Sequence, residues 1–506
     1  MRMASGSKKV GIILSYLTVV CNMISNLLLV PFYLRTLGVD AYGFYQYVYS
    51  LAQYALILDF GIVTIVTKYL SIYRISGTRR DEENFLGHVR IIVVISITII
   101  AIVGIICYIN ISGLIIHRTQ EEIDLAKAML WIMICRIAVA IIQHYYDGIL
   151  LANEQYVLAK GLNVTRIIAK VIFILLFVFA SDSVIGIVIG DICASILCLL
   201  WSVFLAKRRI QYKAKLYHFD RVLFKEAMIL ALALMLQSVV TYANNALDKY
   251  ITGSFLNNTA VTIYSMALLI YEVFTEMSIT INSVFLPQVS KTIALGGNGE
   301  NITDIVIKVG RLQCILCMGM FFGFVLFGKQ FLVLWAHSEV GEAWIMAIVL
   351  MLGSIVAHCE TTCLSVLAIK NKRMFRSLIL LAIAICNIAL SIILLRIIGI
   401  IGVAIGTMIS VFVGDAVVMN IYYKTKLGIN VGRILKNVFP KIVLAAISTA
   451  LMILPLRIYV ENNLISFILG IIAFCIIYAI LLYYIALNDQ EKQMIKTIKR
   501  KMIHLH

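Results

Sequence analysis

Residues 53–66 read QYALILDFGIVTIV, an oily run with one carboxylate, Asp59, in its middle. At the centre of a bilayer a bare carboxylate costs about 3 kcal/mol on insertion scales, so Asp59 needs a partner or water. Whether hydrocarbon surrounds this run is decided by the rest of the chain. Of 506 residues, 62% are hydrophobic and 14% charged, and the mean hydropathy is +0.99. Soluble domains lie nearer half apolar and a quarter charged. Apolar stretches of about 20 residues recur, the length a helix needs to cross about 30 Å of hydrocarbon. Four prolines, Pro31, Pro287, Pro440 and Pro455, leave such helices little interrupted. An all-α integral membrane protein is expected.

About fourteen transmembrane helices are read, at 10–34, 41–70, 89–111, 125–150, 160–180, 183–205, 226–247, 258–282, 306–328, 341–368, 375–395, 398–423, 433–458 and 462–487. With the N-terminus inside, the cytoplasmic ends and loops hold 35 of the 43 Lys and Arg. The opposite side holds seven, and Arg136 falls within a span. That asymmetry puts both termini in the cytoplasm. The net charge of +17 therefore belongs to membrane topology. Stretches such as KRRIQYKAK (207–215) and KTIKRK (496–501) face anionic headgroups. No basic stretch alternates with exposed aromatics in a soluble module, which argues against nucleic acid. The first span is too long for a removable signal peptide. The eleven cysteines lie mostly within spans and read as small apolar filler; Cys314 and Cys317 have no partner pair in sequence, so no metal is expected.

An internal repeat divides the chain. Ile185-Gly186 and Ile189-Gly190 match Ile401-Gly402 and Ile405-Gly406 at an offset of 216, which also puts His144 on Glu360. Phe44-Tyr45 fall on Ile263-Tyr264 at an offset of 219. Two offsets so close point to a duplicated six-helix unit, and an even helix count makes the repeat parallel. The expected layout is an N-terminal lobe (1–205), a basic cytoplasmic linker (206–225), a C-terminal lobe (226–423), and two extra helices with a basic tail (424–506). Such lobes are expected to enclose a hydrated cavity.

Ionisable residues inside spans either tie helices together or line a path. The fourth span carries Arg136, Gln143, His144 and Asp147 within an arc of about 100°. Further acids are Asp59, Asp191, Glu272, Glu276 and Glu360. Arg35 and Lys249 sit near the outer surface, where long side chains snorkel.

The stretch ISNLLLVPFYLRTLGVDAYGFYQYVYSLAQYALILDFGI (24–62), followed by TKYLSIYR, resembles polysaccharide flippases of the Wzx type. These belong to a superfamily that also holds multidrug exporters and flippases for lipid-linked peptidoglycan precursors. The P-x-Y-L-R-x-L-G-x-x-x-Y-G pattern and the following LDFG carry the likeness; Lys68 stands where arginine is common.

The resemblance implies a non-enzymatic transporter in the cytoplasmic membrane of a bacterium. Its substrate would be a polyprenyl-pyrophosphate-linked oligosaccharide, flipped by alternating access for surface polysaccharide biosynthesis. A glycan polymerase and a chain-length regulator are the expected partners beside the lipid bilayer. Substrate contacts are expected from Arg136 and His144, with Arg35 and Lys249 at the outer mouth and Tyr45 and Tyr145 against sugar rings. Coupling to H+ or Na+ is expected at Asp59, Asp147, Asp191, Glu272, Glu276 or Glu360, and no cofactor is expected. The rivals are a cation-coupled multidrug antiporter on the same architecture and an integral-membrane glycan polymerase. Arg136 speaks against a site for cationic drugs, and the short outer loops speak against the polymerase.

Overall fold

The structure, a computed structural model, describes residues 2–115, 118–210, 213–370, 373–458, 463–489 and 491–493. Among them there are helices and no strands. The long helices are α1 (Arg2–Thr36), α2 (Val39–Ser76), α3 (Arg79–Ile109), α4 (Gln120–Ala152), α5 (Tyr156–Ser181), α6 (Ile185–Arg208) and α7 (Arg221–Phe255). They continue as α8 (Asn258–Ala294), α9 (Gly299–Trp335), α10 (Ser338–Cys359), α11 (Phe375–Ile398), α12 (Ile400–Leu427), α13 (Val431–Pro455) and α14 (Leu464–Ala486). Thirteen helices among the described residues are long and apolar enough to cross a membrane, and α7, with 35 residues, is a further long helix. The spans read from hydropathy fall on these fourteen. Side chains close the free N–H groups at several helix starts. Thr78 with Asp81 opens α3, and Thr119 with Glu122 opens α4, each as a reciprocal capping box.

Two spans expected to be continuous are broken, each beside an acid. The first half of α2 ends at Gln53 and passes into a tight 3-10 turn, Tyr54–Asp59. Phe60 (φ 52°) and Gly61 (φ 61°) then turn left-handed before the helix resumes at Ile62. A Cβ on Gly61 would also press into the Leu234 side chain. That explains the glycine of LDFG: the turn needs positive φ in a crowded place. After α10 the helix is interrupted at Glu360 and restarts as Thr361–Ile369. In α12 a π-turn, Phe412–Val418, carries Asp415. Irregular backbone at membrane depth survives only where protein or a polar cavity satisfies it.

The chain forms two compact units, Met1–Thr262 and Ile263–His506. In the first, a continuous core is centred on fully buried side chains such as Tyr47, Ile62, Ile65, Phe85 and Ile92. The second has its own core around Phe274, Val306, Val309 and Ile434. The divide falls at Thr262, later than the connector at 206–225 expected from sequence. The reason is a polar strap. Tyr217 and His218 donate their backbone N–H groups to Asn84 Oδ1 at 2.9 and 3.2 Å. The backbone N–H of Asp220 donates to His88 Nε2 at 2.9 Å, and that of Lys215 to the Glu83 carbonyl at 3.1 Å. Asn84 and His88 are buried on α3, so the connector is pinned across the start of that helix. The far end of α7 is held equally: the Tyr250 hydroxyl donates to Leu114 O at 3.1 Å, and Ser254 Oγ lies 3.0 Å from the Tyr47 hydroxyl.

The helices α13 and α14 likewise pack into the second unit and do not stand apart. Arg311 on α9 holds Glu491 through two bonds of 2.7 and 2.8 Å and donates to the carbonyls of Asn437 and Ala486. The Tyr478 hydroxyl donates to Ile315 O at 2.8 Å.

The strap generates a prediction. Asn84→Ala leaves the N–H groups of Tyr217 and His218 without their acceptor, a loss of about 1–3 kcal/mol. Trypsin should then cut after Lys213 and Lys215 several-fold faster than in the unaltered protein under native conditions, and an unchanged cleavage rate would contradict the strap.

Candidate functional site

In the first unit the intramembrane charges converge from four helices. The tight turn at the break in α2 delivers Asp59, whose Oδ1 lies 2.8 Å from His144 Nδ1 on α4. The carboxylate at position 59 therefore has a partner 85 residues away. One helical turn beyond His144, Asp147 is buried, and its Oδ1 accepts no hydrogen bond. Lys160 and Arg166 of α5 lie within electrostatic reach of it.

Two turns earlier on α4, Arg136 reaches across to α6. Its Nε is 2.9 Å from Asp191 Oδ2, and Lys170 Nζ of α5 stands 4.0 Å from Asp191 Oδ1. Arg166 adds a third positive charge within reach of the same carboxylate. A narrow cleft of about 10 Å3, room for about one water, lies beside this group, lined by Arg136, Asp191, Tyr45, Tyr49 and Gln53. The buried Asp191 Oδ1 and Gln53 Oε1 accept no hydrogen bond. Unmet polar atoms in a cleft are the groups a polar ligand satisfies. Stacked rings lead from the cleft: Tyr45–Tyr49 at 5.8 Å, Tyr42–Tyr45 at 6.0 Å and Tyr33–Tyr42 at 5.6 Å between centroids. Lys249 Nζ donates to Gln46 Oε1 at 3.2 Å, and Gln46 in turn donates to the Tyr42 hydroxyl at 2.6 Å.

The second unit holds a different and roomier polar pocket, of about 170 Å3. Glu360, at the break after α10, lines it together with His358, Thr275, Arg376 and Asp415. Glu360 is 2% exposed, yet neither carboxylate oxygen accepts a hydrogen bond. Arg376 Nη1 donates to Asp415 Oδ1 at 2.9 Å. The break itself is braced by neutral groups. Thr275 Oγ1 sits 3.2 Å from His358 Nε2, Ser278 donates to His358 O, and Gln313 donates to Thr361 Oγ1.

Sequence-derived candidates thus separate. Arg136, Asp191 and Tyr45 meet at one cleft; Asp59, His144 and Asp147 form a neighbouring cluster on the same helices; Glu360 lines the pocket of the other unit. Tyr145 does not face either pocket. It is buried in the first core and donates to Leu86 O at 3.4 Å, so its ring has no face for a sugar. Arg35 is exposed at the last turn of α1, where its charge complements the helix C-terminus. Lys249 belongs to the tyrosine end through Gln46. Glu272 and Glu276 are exposed on α8. Lys170, Arg166 and Arg376 carry the electrostatics and were not singled out from sequence. Lys170 lies fourteen residues into α5, about 21 Å along the axis. That depth was the available signal.

The family described as "Polysaccharide biosynthesis protein" matches residues 8–293 of the chain. Among solved structures, the lipid II flippase MurJ in an inward closed conformation is similar at 16% identity and a TM-score of 0.71, over 93% of this chain and 97% of that one. An inward-facing multidrug resistance MATE family transporter of the MOP superfamily is similar at 12% identity and a TM-score of 0.69, over 81% and 94%. The Vibrio cholerae MATE transporter VcmN in its bent form is similar at 15% identity and a TM-score of 0.52, over 84% and 98%. At these identities the likeness is one of fold. No curated protein matches.

The pair in the second unit is testable without any transport assay. Replacing Asp415 by Ala strands Arg376 and should destabilise the protein by about 3 kcal/mol, while the double replacement Arg376→Ala, Asp415→Ala recovers most of that loss. Melting curves of the purified protein in one detergent check this, and additive losses would contradict the pair.

Proposed function

The chain belongs to the polysaccharide biosynthesis protein family, and on that premise we propose that it flips polyprenyl-pyrophosphate-linked oligosaccharides across the cytoplasmic membrane. The observation that carries the reading is the cationic group at Arg136, with Lys170 and Arg166 beside it, next to a cleft rich in tyrosine. A pyrophosphate cannot cross about 30 Å of hydrocarbon unaided, whereas its isoprenoid tail belongs there. Guanidinium and ammonium groups offset the phosphate charge, and arginine does so bidentately. Gln53, Tyr45 and Tyr49 offer hydrogen-bonding groups to the first sugar. The protein needs no catalytic group for this work. It needs a polar site exposed in turn to each side.

Transport against a gradient needs a coupling ion, H+ or Na+. Asp147 and Glu360 are the carboxylates proposed to take it, because each is buried and keeps at least one oxygen without a hydrogen bond. Asp59 is already engaged by His144, and Glu272 and Glu276 are exposed. A glycan polymerase and a chain-length regulator would act on the flipped units. A multidrug antiporter is the competing function on the same fold. It calls for an anionic site, and the first unit offers the opposite.

Deletion of the gene should make lipid-linked oligosaccharide accumulate on the inner leaflet, with loss of surface glycan. Arg136→Ala, inserted at normal levels, should fail to restore export, and Glu360→Gln should abolish its dependence on the coupling ion. Normal surface glycan with Arg136→Ala would remove this residue from the substrate path. Drug resistance on expression, without rescue of glycan export, would favour the antiporter.

A further inference from the structure

We infer that His88 is a proton-operated latch on the connector between α6 and α7: the neutral imidazole holds the connector on α3, and its protonation lets go. The inference goes beyond the transport reading and does not depend on it.

The hydrogen bonds fix the protonation state of the ring. His88 Nδ1 lies 2.8 Å from the carbonyl of Asn84, one turn back on α3. A carbonyl only accepts, so Nδ1 carries the hydrogen and donates. On the other side of the ring, Nε2 accepts the backbone N–H of Asp220 at 2.9 Å. A ring with one N–H and one accepting nitrogen is neutral. The next proton can go only to Nε2. There it faces the N–H of Asp220, donor against donor, at a residue 1% exposed. Two buried donors without an acceptor are costly, and the contact must open.

The seat is built for the connector. A Cβ on Gly87 would come within 2.9 Å of Lys215 O and 3.0 Å of Leu216 N, so bare backbone is what lets the connector lie this close. The Phe219 ring packs against the imidazole with centroids 5.2 Å apart. The neighbouring backbone N–H groups go to Asn84 Oδ1 and to the Glu83 carbonyl, neither of which titrates. Among these bonds, His88 Nε2 is the one acceptor that a proton abolishes.

The surroundings draw a proton to it. Asp81 and Glu83 lie on α3, His218 and Asp220 on the connector, Glu226 on α7, and Tyr69 and Tyr73 on α2, with their rings against Phe85. Asp81, Asp220 and Glu226 are all within electrostatic reach of Tyr73, and His218 is within reach of Asp81. Glu83 takes the Tyr217 hydroxyl at 2.6 Å and Arg79 at 3.5 Å, and Arg80 stands over the Tyr217 ring. An imidazolium is favoured by such carboxylates. In the chain, the acceptor nearest to the displaced N–H is the carboxylate of Asp220 itself. Its Oδ1 takes the N–H groups of Val222 and Leu223 at 2.9 and 3.1 Å and so caps α7. A proton on Nε2 therefore sets the strap against the cap. Either the connector lifts, or the carboxylate turns to the imidazolium and uncaps α7, and both loosen the start of that helix. The connector thereby reports acidification on its own side of the membrane.

The test uses the full-length protein in nanodiscs, with trypsin cleavage after Lys213 and Lys215 as the readout. At each pH the rate is divided by that of a free peptide spanning residues 207–220, which removes the protease's own pH dependence. For the unaltered protein the ratio should rise several-fold from pH 8 to pH 5.5. His88→Gln, whose side-chain oxygen accepts the Asp220 N–H at any pH, should hold the ratio flat. His218→Gln, which removes the exposed imidazole of the connector, should keep the rise. A flat ratio in the unaltered protein, or a rise that persists in His88→Gln, would overturn the latch. Nitrogen NMR of the histidine-labelled protein decides the matter if His88→Gln does not fold. One imidazole should be the Nδ1–H tautomer at pH 8 and gain its second proton in step with cleavage; no histidine titrating in step overturns the inference.

Discussion

A charge held at membrane depth must be neutralised, solvated or removed, and this constraint organises both units. Asp59 is met by His144, Asp191 by Arg136 and Lys170, and Asp415 by Arg376. Asp147 and Glu360 are buried with oxygens that accept no hydrogen bond. Irregular backbone obeys the same rule. The turn ending in Phe60 and Gly61 presents Asp59, the break after Cys359 presents Glu360, and the π-turn at Phe412–Val418 presents Asp415. These three interruptions each give an acid a position no regular helix would give it, whereas the break at Phe439 in α13 and the π-turn Leu482–Ala486 in α14 carry none.

The two units use this vocabulary for different ends. In the first, cations outnumber carboxylates around a tyrosine-lined cleft, a composition suited to an anionic headgroup with sugars attached. In the second, one closed ion pair shares a pocket with an orphaned carboxylate, a composition suited to a small cation. The chain, a multi-pass protein with the fold of MOP-superfamily transporters, keeps these two groups of charges on separate scaffolds. The Arg311–Glu491 pair elsewhere shows a charge held structurally: each of the three guanidinium nitrogens donates.

Much of this was legible in the sequence, for reasons of length and solvent. Spans of about 20 apolar residues admit few alternatives, and the lone Asp59 and Arg136 announced themselves against that background. Their partners were not legible, because the pairs join residues 85 and 55 positions apart on helices whose facing angles periodicity does not give. Lys170 and Arg166 were absorbed into the positive-inside count, although Lys170 lies too deep for a loop charge. Tyr145 adjoins His144 yet points into the core, because neighbouring residues on a helix diverge by about 100°. The break at Phe60-Gly61 had a glycine to mark it. The one at Glu360 had neither glycine nor proline, and only its packing reveals it.

Arg136 and its neighbours are proposed to carry a pyrophosphate-linked sugar through the bilayer. The direct measurement is leaflet-to-leaflet movement of a fluorescent polyprenyl-pyrophosphate oligosaccharide in liposomes containing the purified protein. The expected result is movement that depends on the protein and stops when Arg136 is alanine. Equal rates with and without that guanidinium, or with empty liposomes, would contradict it.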